Sequence, residues 1–169
     1  MLFSTGTSGR LEDGTFTNTV LNGAVRYYLQ QSDRRLFFIT AEGMKGYRLD
    51  RDNQILLGGD NGLRGYPLRY QAGEGRAVVN VEQRFYTDLY PWRLFRVGYA
   101  AFFDAGRAWG KDPRAADPLG MLYDVGIGLR LSSPRASGRS IVHIDLAFPL
   151  NGDSSIDNVQ LVIETKGSF

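Results

Sequence analysis

The feature that most limits the fold of this chain is a two-residue alternation that runs through most of it. In Leu119–Ser132, Met121, Tyr123, Val125, Ile127, Leu129 and Leu131 fall on one face, and Asp124, Gly126, Gly128 and Arg130 on the other. Ser140–Leu150 sets Val142, Ile144, Leu146 and Phe148 against His143, Asp145 and Ala147. Leu94–Trp109 sets Val97, Tyr99, Ala101 and Phe103 against Gly98, Ala100, Phe102, Asp104 and Gly106. Ala77–Phe85 repeats the pattern, with Asn80, Glu82 and Arg84 on its polar side, and Val159–Phe169 closes the series. Side chains of a strand alternate between its faces, so this pattern specifies strands with one apolar face and one small or charged face. The first fifty residues read as strands at about 1–11, 15–30 and 35–49. Together these make eight strands, and no 3.6-residue apolar period is sustained long enough to compete.

The choice between water and lipid turns on which face points inward. No run of eighteen apolar residues exists to form a transmembrane helix. A barrel strand crosses a membrane with about 9–11 residues and keeps a low mean hydropathy, here −0.26. In a soluble sandwich or lipocalin-like barrel the apolar face would be the core. The opposite face would then be a solvated surface lined by Gly98, Gly106, Gly126 and Gly128, which pack nothing and weaken strands. The expectation is therefore an all-β, antiparallel transmembrane β-barrel, with residues 1–169 as one domain. The connections alternate between short and long, as barrel turns and loops do, and the longest spans 50–75. Tyr90, Trp92 and Phe95 fall near one interface and Trp109 and Tyr123 near the other, as two aromatic girdles would.

Composition removes several functions. With no Cys and one His, thiolate zinc sites, disulfides and multi-histidine metal centres are excluded, and no metal or cofactor is expected. Lys plus Arg is 20 and Asp plus Glu 18, a balance that gives no footprint for nucleic acid. Gly126-x-Gly128 lacks the third glycine and the helix of a dinucleotide site, and Gly58–Gly65 lacks the Lys-Ser/Thr of a P-loop. Glu82, Asp104 and Asp124 could be read as acid/base groups, and His143 with Asp145 as a protease dyad. A polar inner wall balanced by Arg84, Arg96 and Arg130 explains them without chemistry, and no enzyme is expected. Met1–Gly6 lacks the basic flank and apolar core of a signal peptide, so the chain reads as a mature protein or a fragment.

Several motifs occur in order: Gly58-Gly59-Asp60-Asn61-Gly62-Leu63-Arg64-Gly65-Tyr66, Asn80-Val81-Glu82-Gln83-Arg84, Phe102-Phe103-Asp104-Ala105-Gly106, Val125-Gly126-Ile127-Gly128-Leu129-Arg130, Ser132-Ser133-Pro134 and a terminal Phe169. This set resembles the C-terminal part of the BamA/TamA/two-partner-secretion transporter superfamily of outer-membrane proteins, in a short form without POTRA domains. The resemblance is strong over 54–169 and rests on strand pattern before that. It implies that the loop carrying Arg64, Gly65 and Tyr66 folds into the barrel lumen. There Arg64 would meet Asp104, with Glu82 one strand earlier able to face it, and Phe169 would be the signal on the closing strand. Gly167 and Glu164 depart from that signal, which favours an aromatic and a glycine there. Parity places Asp104, Glu82 and Phe102 on the polar face, with Gly106 and Ala100 leaving room for a loop.

An eight-strand barrel is just wide enough for its own side chains and cannot also hold a 26-residue loop (Asp50–Gly75). Family barrels have sixteen strands. The expectation is therefore that two copies pair edge to edge, as a homodimer, into a composite sixteen-strand barrel, or that this chain is half of one. Its surroundings would be the lipid bilayer of a bacterial outer membrane. Its implied function is inserting or translocating an unfolded outer-membrane or secreted polypeptide, or handling lipid. A small channel or structural barrel without translocase activity is the alternative.

Overall fold

Alternating β-branched and aromatic residues, interrupted at Gly, Pro and Asp, form ten strands among the described residues. They are β1 (Leu2–Glu12), β2 (Thr15–Ser32), β3 (Arg35–Tyr47), β4 (Ile55–Leu57), β5 (Gln71–Gly73), β6 (Gly75–Tyr86), β7 (Arg96–Trp109), β8 (Leu122–Ser132), β9 (Ser140–Pro149) and β10 (Gln160–Gly167). A computed structural model describes residues 1–12, 14–110, 120–132 and 140–167. The connections at 111–119 and 133–139, which include Ser133 and Pro134, lie outside the described residues, as does Phe169. Among the described residues no helix is long and apolar enough to cross a membrane. The only helical pieces described there are short 3-10 turns at Arg51–Asn53, Gly59–Asn61 and Pro91–Arg93.

Eight strands make one antiparallel sheet in the order β1-β2-β3-β6-β7-β8-β9-β10. β4 and β5 stand apart, as a two-stranded ribbon within the long 50–75 connection. Among the described residues β1 pairs with β2 alone and β10 with β9 alone, so the sheet is open at both edges. It is nonetheless curled. Glu164 and Lys166 of β10 line the same cavity as Arg26 of β2 and Glu42 of β3.

The two faces are inverted relative to a soluble protein. Tyr99, Phe103, Ile127, Leu129, Leu146, Phe148, Leu161 and Ile163 are exposed, Ile127 at 59% and Ile163 at 64%. Glu82, Arg84, Asp104, Asp124, Arg130, His143 and Asp145 are buried. An apolar surface this continuous is stable against lipid, not water.

The long connection lies against the inner face. Leu57, Leu63 and Tyr66 from the loop pack with Val78 of β6, Ala108 of β7 and Leu122 of β8 in a buried apolar cluster. Each fully buried leucine or valine of the cluster contributes about 1.5–3 kcal/mol. Gln71 fastens the end of the loop: its side chain accepts from the Ala108 N–H at 2.8 Å and donates to the Gly120 carbonyl at 3.0 Å. The loop is thus seated on the wall of a single chain because the sheet is open, which the volume argument for a closed eight-strand barrel did not cover.

Candidate functional site

Register builds the site as stacked rows on the inner face. One row runs Thr40, Asn80, Asp104, Asp124 across β3, β6, β7 and β8. The next runs Phe38, Glu82, Phe102, Gly126, Ala147, and a third Leu36, Arg84, Ala100, Gly128, Asp145. Glycine at 126 and 128 leaves space for large neighbours: a Cβ on Gly126 would collide with the Phe102 ring, and one on Gly128 with the Asp145 carboxylate. The G-x-G spacing of β8 therefore has a steric origin.

Arg64 enters this space from the loop, and its guanidinium lies 3.4 Å from the centroid of the Phe102 ring. Its Nε and Nη2 donate to the two oxygens of Asp104 at 2.7 and 2.8 Å, a bidentate fork. Its Nη1 donates to Glu82 at 2.9 Å and to Asp145 at 3.1 Å. Arg64 is 7% exposed and Asp104 is 0%. Burial alone would lower the pKa of Arg64. The hydrogen bond and charge of Asp104, joined by Glu82 and Asp145, reverse that and raise it, so the guanidinium keeps its charge.

Two wall arginines complete the cluster. Arg84 donates to Glu82 at 2.7 Å, and Arg130 bridges Glu82 at 2.9 Å and Asp145. Arg64, Arg84 and Arg130 thus match Glu82, Asp104 and Asp145 in number. Taking these charges out of water is costly, and only mutual pairing makes the arrangement tolerable. Asp124 stands outside the exchange, since among the described residues none of the three guanidiniums hydrogen-bonds to it. Gly65 presses on it instead, where a Cβ would lie 2.5 Å from that of Asp124. Close approach, not a positive φ, is what requires glycine at 65.

Tyr66 carries the contact outward. Its hydroxyl lies within 2.7–2.9 Å of the Tyr123 carbonyl and of both the carbonyl and side-chain oxygens of Asn151. It also accepts from the Tyr123 N–H at 3.2 Å. Burial raises its pKa, which keeps the donor proton in place. Tyr70 stacks on Tyr66 and bonds to Asp153, at 2.9 Å both to its carboxylate and from its N–H. The β9–β10 connection is thereby tied to the loop.

Parity puts Asp104, Glu82, Phe102 and Gly106 on a common face, the resemblance carries Arg64 of the loop to them, and the structure brings the five together. Gly106 borders the loop, where a Cβ would lie 3.4 Å from Leu63. Arg96 is a correction: it is exposed at the start of β7 and takes no part in the cluster, because it lies at the far end of the strand. Asp145, a member of the polar wall, is an acceptor for Arg64 and Arg130. Its parity on β9 was the available signal. Arg76 and Asn80, which grip the loop backbone, were not singled out.

A model of the Omp85 superfamily domain matches residues 3–166. The chain belongs to the Omp85 superfamily. Omp85 proteins, BamA and TamA types among them, are outer-membrane proteins concerned with protein assembly and translocation. The match spans the open sheet from β1 to β10, including the first fifty residues, where only strand pattern carried the resemblance. None of the curated proteins matches this Omp85 chain.

Proposed function

We propose that this Omp85 chain inserts or translocates polypeptide at the outer membrane, through a lumen gated by the 50–75 loop or through a lateral seam at the open sheet edge. Lipid handling would use the same seam. It does this without covalent catalysis or a cofactor. The observation that carries the reading is the buried Arg64 fork on Asp104, shared with Glu82 and Asp145. A loop that served only as filler would be seated by apolar contacts alone. Here a charged side chain holds it over a polar wall.

The membrane-embedded form on this reading is a homodimer, two eight-strand sheets making one sixteen-strand barrel. In lipid an unpaired strand edge leaves N–H and C=O groups without partners, at several kcal/mol per group. β1 and β10 run antiparallel, so a two-fold axis brings each β1 beside the partner's β10 and closes both seams. Native mass spectrometry in nanodiscs reads twice the 18.9 kDa chain mass if this holds, and one chain mass if the barrel closes on itself.

A plain channel or structural barrel is the second reading. It is favoured by the apolar cluster of Leu57, Leu63 and Tyr66, which makes the loop part of the core. Arg64→Ala and Asp104→Ala separate the two. Loss of client insertion with normal amounts of folded barrel supports the machine, and loss of the barrel itself supports the structural role.

A further inference from the structure

Arg64 sends a loop side chain into the wall, and the wall also reaches for the loop. Arg76 of β6 is 7% exposed, and its Nη1 donates to the main-chain carbonyls of Leu56 at 2.8 Å and Asn61 at 3.2 Å. Its Nη2 lies 3.6 Å from Glu42 on β3, which steadies it from the other side. Asn80, two repeats of the alternation further along β6, donates to the Gly62 carbonyl at 2.7 Å and to Asp104 at 2.9 Å.

All three carbonyls flank or belong to the turn Gly58-Gly59-Asp60-Asn61-Gly62. Its φ angles are +116° at Gly58, +61° at Gly59 and +108° at Gly62. Side-chain-bearing residues rarely adopt such values, so the glycines set the path that aims these carbonyls at β6. The recognition is of main chain by an arginine and an amide. Arg64 works the other way, by a side chain on carboxylates. The two grips share only Asp104, through Asn80. Beside the turn lies a cavity of about 270 Å³, bordered by Gly62, Arg76, Glu42 and Glu164, so the turn has room to move if released.

We propose that Arg76 and Asn80 are positioning residues forming a second loop clamp. It reads the Gly58–Gly62 main chain and holds the loop root independently of Arg64. This rests on the loop-gated reading above. Its consequence is an order of release: when Arg64 leaves the wall, the segment around Leu63–Tyr66 is freed while the turn stays on β6.

The chain has no cysteine, so a single Asp60→Cys substitution at an exposed position accepts one spin label. The experiment uses the full chain folded in phosphatidylethanolamine/phosphatidylglycerol vesicles, with folding checked by heat-modifiable gel mobility. The label is expected to be immobilised in the parent and in Arg64→Ala, mobile in Arg76→Met, partly re-immobilised in Arg76→Lys, and loosened in Asn80→Ala. Asn80→Ala keeps the test decisive if Arg76→Met does not fold. A label still immobilised in both Arg76→Met and Asn80→Ala overturns the clamp. So does equal mobility in Arg64→Ala and Arg76→Met, which would mean one grip and not two. If the labels respond as expected but no variant changes client insertion, the clamp stands and the loop-gated function falls.

Discussion

Asp104 and Asp124 face each other directly across β7 and β8, both fully buried, and only Asp104 receives the Arg64 fork. Two carboxyls opposed on adjacent strands, one forked by a guanidinium and the other not, make an unequal pair. Asp124→Asn replaces a buried carboxyl that no guanidinium hydrogen-bonds with an uncharged group of the same shape, and is expected to leave the fold intact and the stability within about 1 kcal/mol of the parent. Asp104→Asn is expected to destabilise it by about 3–5 kcal/mol, because it leaves Arg64 buried without its bidentate partner. Thermal unfolding of the two variants in detergent, followed by heat-modifiable mobility, checks the difference.

Arg64→Lys is not a conservative change here. Lysine offers a compact ammonium where Asp104, Glu82, Asp145 and the Phe102 ring together fit a planar fork. Arg64→Lys is expected to fall between the parent and Arg64→Ala in protection of the loop from protease. Equal protection in Arg64→Lys and the parent would show that charge alone seats the loop.

The inner-wall glycines differ in what they permit. Gly126→Ala would drive a methyl into the Phe102 ring and the Leu146 carbonyl. Overpacking of that kind costs about 1–3 kcal/mol and displaces the floor under Arg64. Gly43→Ala on β3 meets nothing within 4 Å and is expected to be neutral or stabilising by about 0.4–1 kcal/mol. Melting temperatures of the pair measure the difference.

Tyr66→Phe keeps the ring in the Leu57–Leu63 cluster and removes only the hydroxyl. Asn151 then loses a donor, and the Tyr123 N–H keeps only its 3.0 Å bond to Asn151. The expected cost is about 1–3 kcal/mol, with faster hydrogen exchange at the Tyr123 amide than in the parent.

The strands were legible because one face had to meet lipid and the other a polar interior, which writes the two-residue period into the sequence. Parity alone placed Glu82, Asp104, Phe102, Asp124, His143 and Asp145 on one face. It could not tell which carboxylates Arg64 would reach, since that depends on the depth at which the loop enters. Asp145, 81 residues from Arg64, therefore stands in the sequence only as one more group of the polar wall. The clamp of Arg76 and Asn80 was hidden for a different reason. Its acceptors are main-chain carbonyls, which every residue carries, so no side-chain pattern signals them. The β4–β5 ribbon was missed because three-residue strands are too short to show a period. Arg96 shared the parity of the cluster but lies too far along β7 to join it.

The account rests on Arg64 being docked on Asp104 in the membrane. Solid-state NMR of the protein in lipid vesicles, with ¹⁵N in arginine side chains and ¹³C in aspartate carboxyls, measures that contact directly. The predicted result is a strong dipolar coupling between Arg64 Nε and the Asp104 carboxyl carbon, consistent with the 2.7 Å Nε–Oδ2 hydrogen bond, that vanishes in Asp104→Asn. An Arg64 side chain with averaged couplings and no contact to Asp104 would contradict it.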